Sequence, residues 1–408
     1  MTSSPVRVRR VATEVRRILV AVLVFVPPMV VTVLTVPFAF MGGTLRPWEP
    51  QMMDLDVYRR AGDLLLSGGS DIYASNGELP FLYPPFAAVM GALWDLPSQD
   101  VAQFLWLALN VVALLAILYR LGLRTWVLSI VAAAACGLVP PVKDTLAFGQ
   151  LGIFLVALPL CDLLAGPRLL PWRRLLPAGS ATGFAAALKL TPLIFIPYLW
   201  LIRRARSGVV TLVSFAVLTG LTFVLLPGAS LDFFGRLLQG DTGLGDSIAY
   251  YTNQSIVSDW VRMTGRTGGL AAIGLILGAA VALLGILAGA RWHRQGHPGF
   301  ALCLVGMAGL IASPVSWSHH FVWIVPLAVV ATQSALPPTL RVLSWLVTLW
   351  MVAQPFTRLP HGGNLEYDWT LGQHLLGSVT ALLVVALLVA ALALPAARWS
   401  TPTVRALS

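Results

Sequence analysis

Met53-Asp54-Leu55-Asp56-Val57-Tyr58-Arg59-Arg60 is a short acidic and aromatic stretch set just beyond the apolar run 17–41. Its reading decides the fold because of what surrounds it. Asp and Glu number 17 in 408 residues, and six of them (Glu49, Asp54, Asp56, Asp63, Asp71 and Glu78) crowd into this one loop. Elsewhere the chain is nearly all apolar, 57% hydrophobic and 11% charged. Soluble domains carry about 25% charged residues, so the chain reads as an all-α polytopic membrane protein. A membrane protein that collects its acids beside the bilayer does polar chemistry there, and this loop is where an active site is expected.

No segment between the apolar runs is long enough to bury a core of its own. A single integral unit over 1–408 is therefore expected, with a basic tail at 1–16, a catalytic loop at 42–80 and a second tail at 397–408. Runs of spanning or near-spanning length lie at 17–41, 101–120, 125–140, 148–165, 208–227, 268–290, 340–356 and 372–395. Residues 17–41 follow Arg16-Arg17 but are too long for a cleaved leader, and Pro27-Pro28 predicts a kink there. Three other stretches are short or broken. Residues 81–96 open on Phe81-Leu82-Tyr83-Pro84-Pro85 and read as re-entrant or interfacial. Residues 176–202 are interrupted by Lys189-Leu190-Thr191-Pro192 and read as a hairpin of two short helices. Residues 298–334 are interrupted by Ser313–His320 and read as two helices meeting at a polar knot. The working count is about twelve helices.

Net charge is +10, with 25 of the 27 cations arginine. The basic residues sit in small clusters between apolar runs, the pattern of orientation signals rather than of a nucleic-acid surface, so no nucleic acid is expected as a partner. Placing those clusters in the cytoplasm puts both termini inside and every acid except Glu14 and Asp162 outside or at the outer ends of spans. Five stretches then converge on the extracytoplasmic face: 42–80 with its Tyr-Pro-Pro lip, 140–150, 228–266, 313–320 and 359–369.

At 100° per residue, Asp54 and Tyr58 share one face of an amphipathic helix over 54–66 and Asp56 points nearly opposite. Asp54 reads as a general base, or more plainly as an acid complementing a helix dipole. The chain's two lysines, Lys143 and Lys189, lie within apolar hairpins. Either binds a phosphate as a compact charge, or snorkels; Lys143 could also simply pair with Asp144. His319 and His320 suit a phosphate or sugar contact better than a metal, because adjacent histidines lack the i, i+4 spacing of a helical metal site. Their plainer role is interfacial anchoring with Trp317 and Trp323. Tyr83, Gln150, Asn253, Gln254, His361 and Glu366 add the amides, rings and acids that recognise sugars, and with Asp56, Tyr58 and Trp317 they complete the substrate-binding candidates. His293 and His297 fall in a turn with Gly296 and Pro298 and read as solvated. Cys136, Cys161 and Cys303 lie in apolar runs and read as buried hydrophobes. No nucleotide-binding glycine loop is present, and neither a metal nor another cofactor is expected.

Seven motifs, in order, resemble a known family: Asp-Leu-Asp-Val-Tyr-Arg at 54–59, Phe-Leu-Tyr-Pro-Pro at 81–85, Val-Lys-Asp-Thr-Leu-Ala-Phe-Gly-Gln at 142–150, Leu-Lys-Leu-Thr-Pro at 188–192, Asn-Gln-Ser at 253–255, Ser-Pro-Val-Ser-Trp-Ser-His-His at 313–320, and Leu-Pro-His-Gly-Gly-Asn-Leu-Glu-Tyr-Asp-Trp at 359–369. They are similar to the polyprenyl-phosphomannose-dependent α-(1→2)-mannosyltransferases of mycobacteria and relatives, glycosyltransferase family 87, from about residue 50 to 375. The resemblance implies a GT-C fold in the cell membrane and inverting transfer on the extracytoplasmic face. The implied donor is a lipid-linked β-mannosyl phosphate, and the acceptor is a mannose hydroxyl of a phosphatidylinositol mannoside or lipoglycan. It makes Asp54 the base and carries donor-phosphate binding to Lys143, Lys189, His319 and His320. Gly149-Gln150-Leu151-Gly152 departs from the family's frequent Gly-Gln-x-Asn, and Lys143 and Asp144 stand where Arg and a small hydroxyl residue are common.

Two rivals stay open at this point. Nothing in the residues named excludes an arabinofuranosyltransferase using a lipid-linked arabinose donor. A lipid-carrier transporter or flippase would show internal repeats and ionisable groups near the midplane, and the chain shows neither pattern clearly.

Overall fold

The computed structural model describes residues 19–35, 52–69, 71–73, 79–166, 176–241, 243–265 and 271–394. The two tails, Glu49 and Glu78 lie outside the described residues. Among the described residues no β-strand forms, and an isolated backbone bridge joins Asn253 to Trp317.

The first helix, α1 (Leu19–Thr35), continues through Pro27-Pro28. Then come α2 (Met53–Leu66), α3 (Pro85–Asp95), α4 (Gln99–Arg120), α5 (Thr125–Leu138), α6 (Pro140–Phe148) and α7 (Gly152–Leu163). After these follow α8 (Ser180–Leu188), α9 (Phe195–Leu201), α10 (Ala205–Leu225), α11 (Pro227–Leu238) and α12 (Ile256–Thr264). The last five are α13 (Ala271–Arg294), α14 (Pro298–Ala312), α15 (Ile324–Gln333), α16 (Pro338–Ala353) and α17 (Leu371–Ala393). Five of them, α3, α6, α11, α14 and α16, begin on a proline. The ring presets helical φ, and the missing N–H would have found no helical partner there. Ser255 caps α12, and Thr370 with Gln373 forms a reciprocal cap on α17.

Among the described residues, four helices (α4, α10, α13 and α17) are long and apolar enough to cross a membrane unbroken. The run expected as a plain span over 125–140 is instead the first arm of a bent pair, α5 and α6, with 74° between them. Val139 is extended before Pro140-Pro141, which stops α5 and restarts the chain in a new direction. The expected breaks at Lys189 and at Ser313–His320 are both present. Lys189 is extended between α8 and a 3-10 turn at Thr191–Ile194, and a 3-10 turn at Ser318–Trp323 separates the knot from α15.

Small residues set the closest approaches. A Cβ on Gly285 would fall 2.1 Å from Ala308 Cβ, so α13 and α14 nearly touch backbone to backbone. Arginines close the opposite end of the bundle. Arg120 donates to the carbonyls of Cys161 and Leu164, Arg204 to that of Leu163, and Arg291 to those of Leu392 and Leu394. They satisfy the last carbonyls of α7 and α17, where a helix end favours a cation. Asp162 caps the other side of this layer, accepting from the Gly179 and Thr182 amides and the Thr182 hydroxyl. His293 and His297 are not solvated: Tyr198 Oη lies 3.0 Å from His293 Nδ1, and His297 is buried against Trp292. All three cysteines are free, with Cys136 and Cys303 fully buried.

Candidate active site

The site forms at the N-terminal end of α7, remote from those arginine caps. Four segments meet there: the start of α2, the link between α6 and α7, the break at Lys189 and the break at His319-His320. α2 reaches it by packing on α3 through glycine. Cβ atoms on Gly62 and Gly91 would lie 2.2 Å from Ala92 N and 2.1 Å from Tyr58 O. Gly149, at φ +71°, closes α6 in the left-handed conformation, and a Cβ there would meet Leu55 Cβ at 2.7 Å.

This packing puts Asp54 and Tyr58 on the inner face of α2, as their spacing predicts. Tyr58 and Tyr83 both donate to Gln150 Oε1, at 3.2 and 3.0 Å, and the Gln150 amide favours the ionised form of Asp54. Tyr58 packs edge-on against Tyr83, with ring centroids 5.0 Å apart. Across from them Lys189 Nζ lies 5.5 Å from the centre of the Tyr83 ring and 2.9 Å from His320 Nε2. The His320 ring is held from behind, since its Nδ1 accepts from the Trp317 amide at 3.1 Å. Thr145 Oγ1 donates to the His319 carbonyl at 2.8 Å, and Phe148 meets the His319 ring edge-on. His319 Nε2 is buried and has no hydrogen-bond partner among the described residues. A cavity of about 30 Å³, walled by Gly152, Phe195, Gly306 and Trp323, reaches Lys189 and His320.

Burial dominates the electrostatics of Asp54. Withdrawal from water raises its carboxyl to about 7, against the Gln150 amide and the charge of Lys189, which favour the anion. Burial likewise pushes the Tyr58 and Tyr83 hydroxyls up, so both remain donors. Asp56 lies outside this cluster, on the side of α2 that carries Arg59 and Arg60; burial raises its carboxyl and those two charges oppose the rise.

The other candidates divide. Asn253 is fully buried, and its amide is consumed: Nδ2 donates to the Ile248 and Pro314 carbonyls while Oδ1 accepts from the Ser255 and Ser316 amides. Gln254 is also buried, bonding the Tyr251 carbonyl and Thr380. These two amides fasten the 248–255 turn to the knot and to α17. Glu366, 2% exposed, accepts from the Tyr251 and Gly362 amides. His361 stacks on Tyr251 with ring centroids 3.9 Å apart, and Tyr250 packs edge-on against Trp317. Tyr250, Tyr251, Trp317 and His361 thus make an aromatic rim. Lys143 is partly exposed on α6 beside Asp144, and its charge acts on that neighbour.

Arg262 is absent from the sequence-based candidates although it organises this rim. It is 1% exposed and donates to the Ala249, Tyr250 and Asn253 carbonyls, to Ser258 Oγ and to Asp259, with its guanidinium over the Trp369 ring. The available signal is its place: an arginine in an acid-bearing loop, in a chain that keeps most arginines at the other side. Arg262→Met would leave the buried Asp259 without its cation and the Ala249 and Asn253 carbonyls without this donor, while the Tyr250 carbonyl keeps the Asn253 amide. The expected cost is about 3–5 kcal/mol, read as an earlier thermal melt, with Arg262→Lys recovering part of it.

A carboxylate and a lysine thus stand at one ring-lined cleft, in a bundle whose long apolar helices are those of a membrane-embedded protein. The profile of glycosyltransferase family 87 matches residues 81–314, and the chain belongs to that family. It is 33% identical over 306 residues to the polyprenol-phosphate-mannose-dependent α-(1-2)-phosphatidylinositol mannoside mannosyltransferase of Mycobacterium tuberculosis (strain ATCC 25618 / H37Rv), covering 69% of this chain and 70% of that one. It is 30% identical over 360 residues to the protein of the same name from Mycolicibacterium smegmatis (strain ATCC 700084 / mc(2)155), covering 79% of each. The polyprenol-phosphate-mannose-dependent α-(1-2)-phosphatidylinositol pentamannoside mannosyltransferase of Mycobacterium tuberculosis (strain CDC 1551 / Oshkosh) is 31% identical over 316 residues, 74% of this chain and 71% of that one. No solved structure matches the chain.

Proposed function

We propose that the protein transfers mannose from polyprenyl monophosphomannose to a mannose hydroxyl of a phosphatidylinositol mannoside or lipoglycan. The reaction inverts the anomeric centre and forms an α-(1→2) linkage on the extracytoplasmic face of the plasma membrane. The observation that carries the reading is the convergence at one cleft of the inner face of α2, which carries Asp54 and Tyr58, with Lys189 Nζ, 5.5 Å from the centre of the Tyr83 ring that packs on Tyr58; each charge favours the ionised form of the other. The relatives' names supply the sugar and its carrier.

On this reading Asp54 takes the proton from the acceptor hydroxyl while its oxygen attacks the anomeric carbon. The bond from that carbon to the phosphate oxygen breaks, and its electron pair leaves with polyprenyl phosphate. Lys189 and His319 Nε2 hold the growing phosphate charge, with His320 beside Lys189. A phosphate is already a good leaving group, so no second carboxylate is needed as acid. Attack opposite a β-linked phosphate yields the α product.

The test is transfer of labelled mannose from synthetic polyprenyl phosphomannose to a mannoside acceptor by the purified protein, with the product digested by linkage-specific mannosidases. A β-linked product would sink the inverting mechanism. Transfer from a lipid-linked arabinofuranose but not from the mannose donor would leave the site standing and change the sugar. Lys189→Met is expected to lower kcat by roughly 100- to 1,000-fold, with Lys189→Arg intermediate.

A further inference from the structure

The sequence reading makes Gln150 a substrate contact, yet the structure encloses it in protein at 4% exposure. A carboxamide can present either its oxygen or its nitrogen in a given direction, because the two ends are nearly the same shape. Here the choice is made by neighbours. Tyr58 and Tyr83 each direct their one hydroxyl proton at Oε1, which fills both lone pairs of that oxygen. Only the nitrogen end is left for Asp54: Gly149 packs on Met52 and Leu55, which sets the next residue beside Asp54, and what the carboxamide turns toward that carboxylate is N–H, which favours the anion. The reverse orientation would turn a carbonyl oxygen toward that carboxylate and disfavour the anion.

Both tyrosines are themselves fixed. Tyr58 packs against Trp106 as well as Tyr83, and the Tyr83 carbonyl accepts from Tyr73 Oη at 2.9 Å. The Gln150 backbone is fixed too, its amide donating to the Thr145 carbonyl at 2.9 Å in the turn that Gly149 closes.

We propose that Gln150 is the positioning residue of the base: Tyr58 and Tyr83 lock its carboxamide so that its NH2 end holds the Asp54 carboxylate in register with the acceptor hydroxyl. This rests on Asp54 being the base. The groups that face Asp54 are Tyr58 on its own helix, Tyr83 ahead of α3, Gln150 after α6 and Lys189 after α8, with His320 behind Lys189 and His319 next to it. Asp56, Arg59 and Arg60 lie on the other side of α2. Gln150 and Lys189 favour the anion that burial opposes, so removing the amide donor makes the carboxylate harder to form.

The experiment follows kcat and KM against pH for the purified enzyme in lipid nanodiscs. Wild-type kcat is expected to fall as pH drops through about 7. In Gln150→Met the acid limb moves to about pH 8 or above, so that kcat at pH 7 drops roughly fivefold or more; it recovers only in part toward pH 8, where Lys189, lowered by burial to about 8, begins to lose its proton, while both KM values stay within about twofold. Gln150→Glu keeps an oxygen for both phenols but has no N–H, and shows the same defect. Tyr58→Phe with Tyr83→Phe reproduces the displaced limb, by more than the two single changes combined, because either phenol alone still fixes the amide.

Wild-type behaviour of Gln150→Glu would overturn the proposal. So would a raised KM with an unmoved limb, which marks a substrate contact, or a loss equal at every pH with an earlier melt, which marks a scaffold. A second readout needs no turnover: the infrared band of the protonated carboxyl, assigned by its absence in Asp54→Asn, is titrated in wild type and Gln150→Met. Its midpoint moves upward if the amide acts on Asp54 and stays put if it does not. An inactive wild type whose band still moves would refute the mannosyl-transfer reading and leave the Gln150 assignment intact.

Discussion

Asp54→Asn is expected to lose about 1,000-fold or more in kcat and yet to melt at a higher temperature than the wild type at pH 8. The loss follows from removing the proton acceptor, since a positioned base contributes on the order of 100- to 10,000-fold. The gain follows from the same burial that tunes it. The carboxyl stands at about 7 in the folded chain and near 4 when unfolded, so between those values the folded state holds the proton more tightly. Stability from this group is complete below about pH 4 and is lost as pH rises through 7, where the cleft must hold an anion. Asparagine keeps an oxygen for the Gln150 amide and never ionises. The expected gain is roughly 2 kcal/mol at pH 8, vanishing near pH 4, with part of the cleft's openness to water already discounted. Thermal melts at the two pH values, beside the transfer assay, separate the effects. Retained activity would remove Asp54 from the mechanism, and an equal gain at both pH values would show that ionisation is not its source.

Much of this architecture was readable before any coordinates. Apolar length marked the spans, and a lysine or a Ser-Pro knot inside an apolar run marked where helices break, because neither group can sit in a continuous buried helix without a partner. The 100° period placed Asp54 with Tyr58 and away from Asp56, since α2 is regular over that stretch. What was hidden depends on contacts between distant segments. The α5–α6 bend looked like one span followed by a loop, because periodicity does not report direction after Pro140. Asn253 and Gln254 looked like free amides in a polar turn, but irregular backbone has no period from which to tell inward from outward. They point in, to carbonyls and to Thr380. Gln150 was visible as a polar residue near the site, while its two phenol partners lie 92 and 67 residues away in sequence. Arg262 was hidden for a different reason: a charge in a loop reads as solvated until its carbonyl partners are known.

Gly91→Ala is the second change with a large expected effect, and it lies on no catalytic group. The added Cβ would stand 2.1 Å from the Tyr58 carbonyl oxygen and 2.9 Å from its carbon. Both are backbone atoms inside a helix, so no side chain can swing aside, and α2 must lift bodily from α3. Gly62 faces Ala92 N from the other side at a similarly forbidden distance, so the two helices have no slack to share. Tyr58 and Asp54 ride on the displaced helix, one turn apart. A shift on the order of 1 Å at a reacting group costs about 100-fold in rate, and forcing a methyl into a packed interface costs about 1–3 kcal/mol. Gly91→Ala is therefore expected to lower kcat at least 100-fold with a modestly earlier melt. Gly220→Ala serves as the contrast: it too is helical, but its Cβ would meet nothing within 4 Å. There the substitution should leave activity unchanged and add up to about 1 kcal/mol of helix stability. Equal activity in the two variants would mean that the α2–α3 contact does not set the position of Asp54, and that the base is held by Gln150 and the Gly149 turn alone.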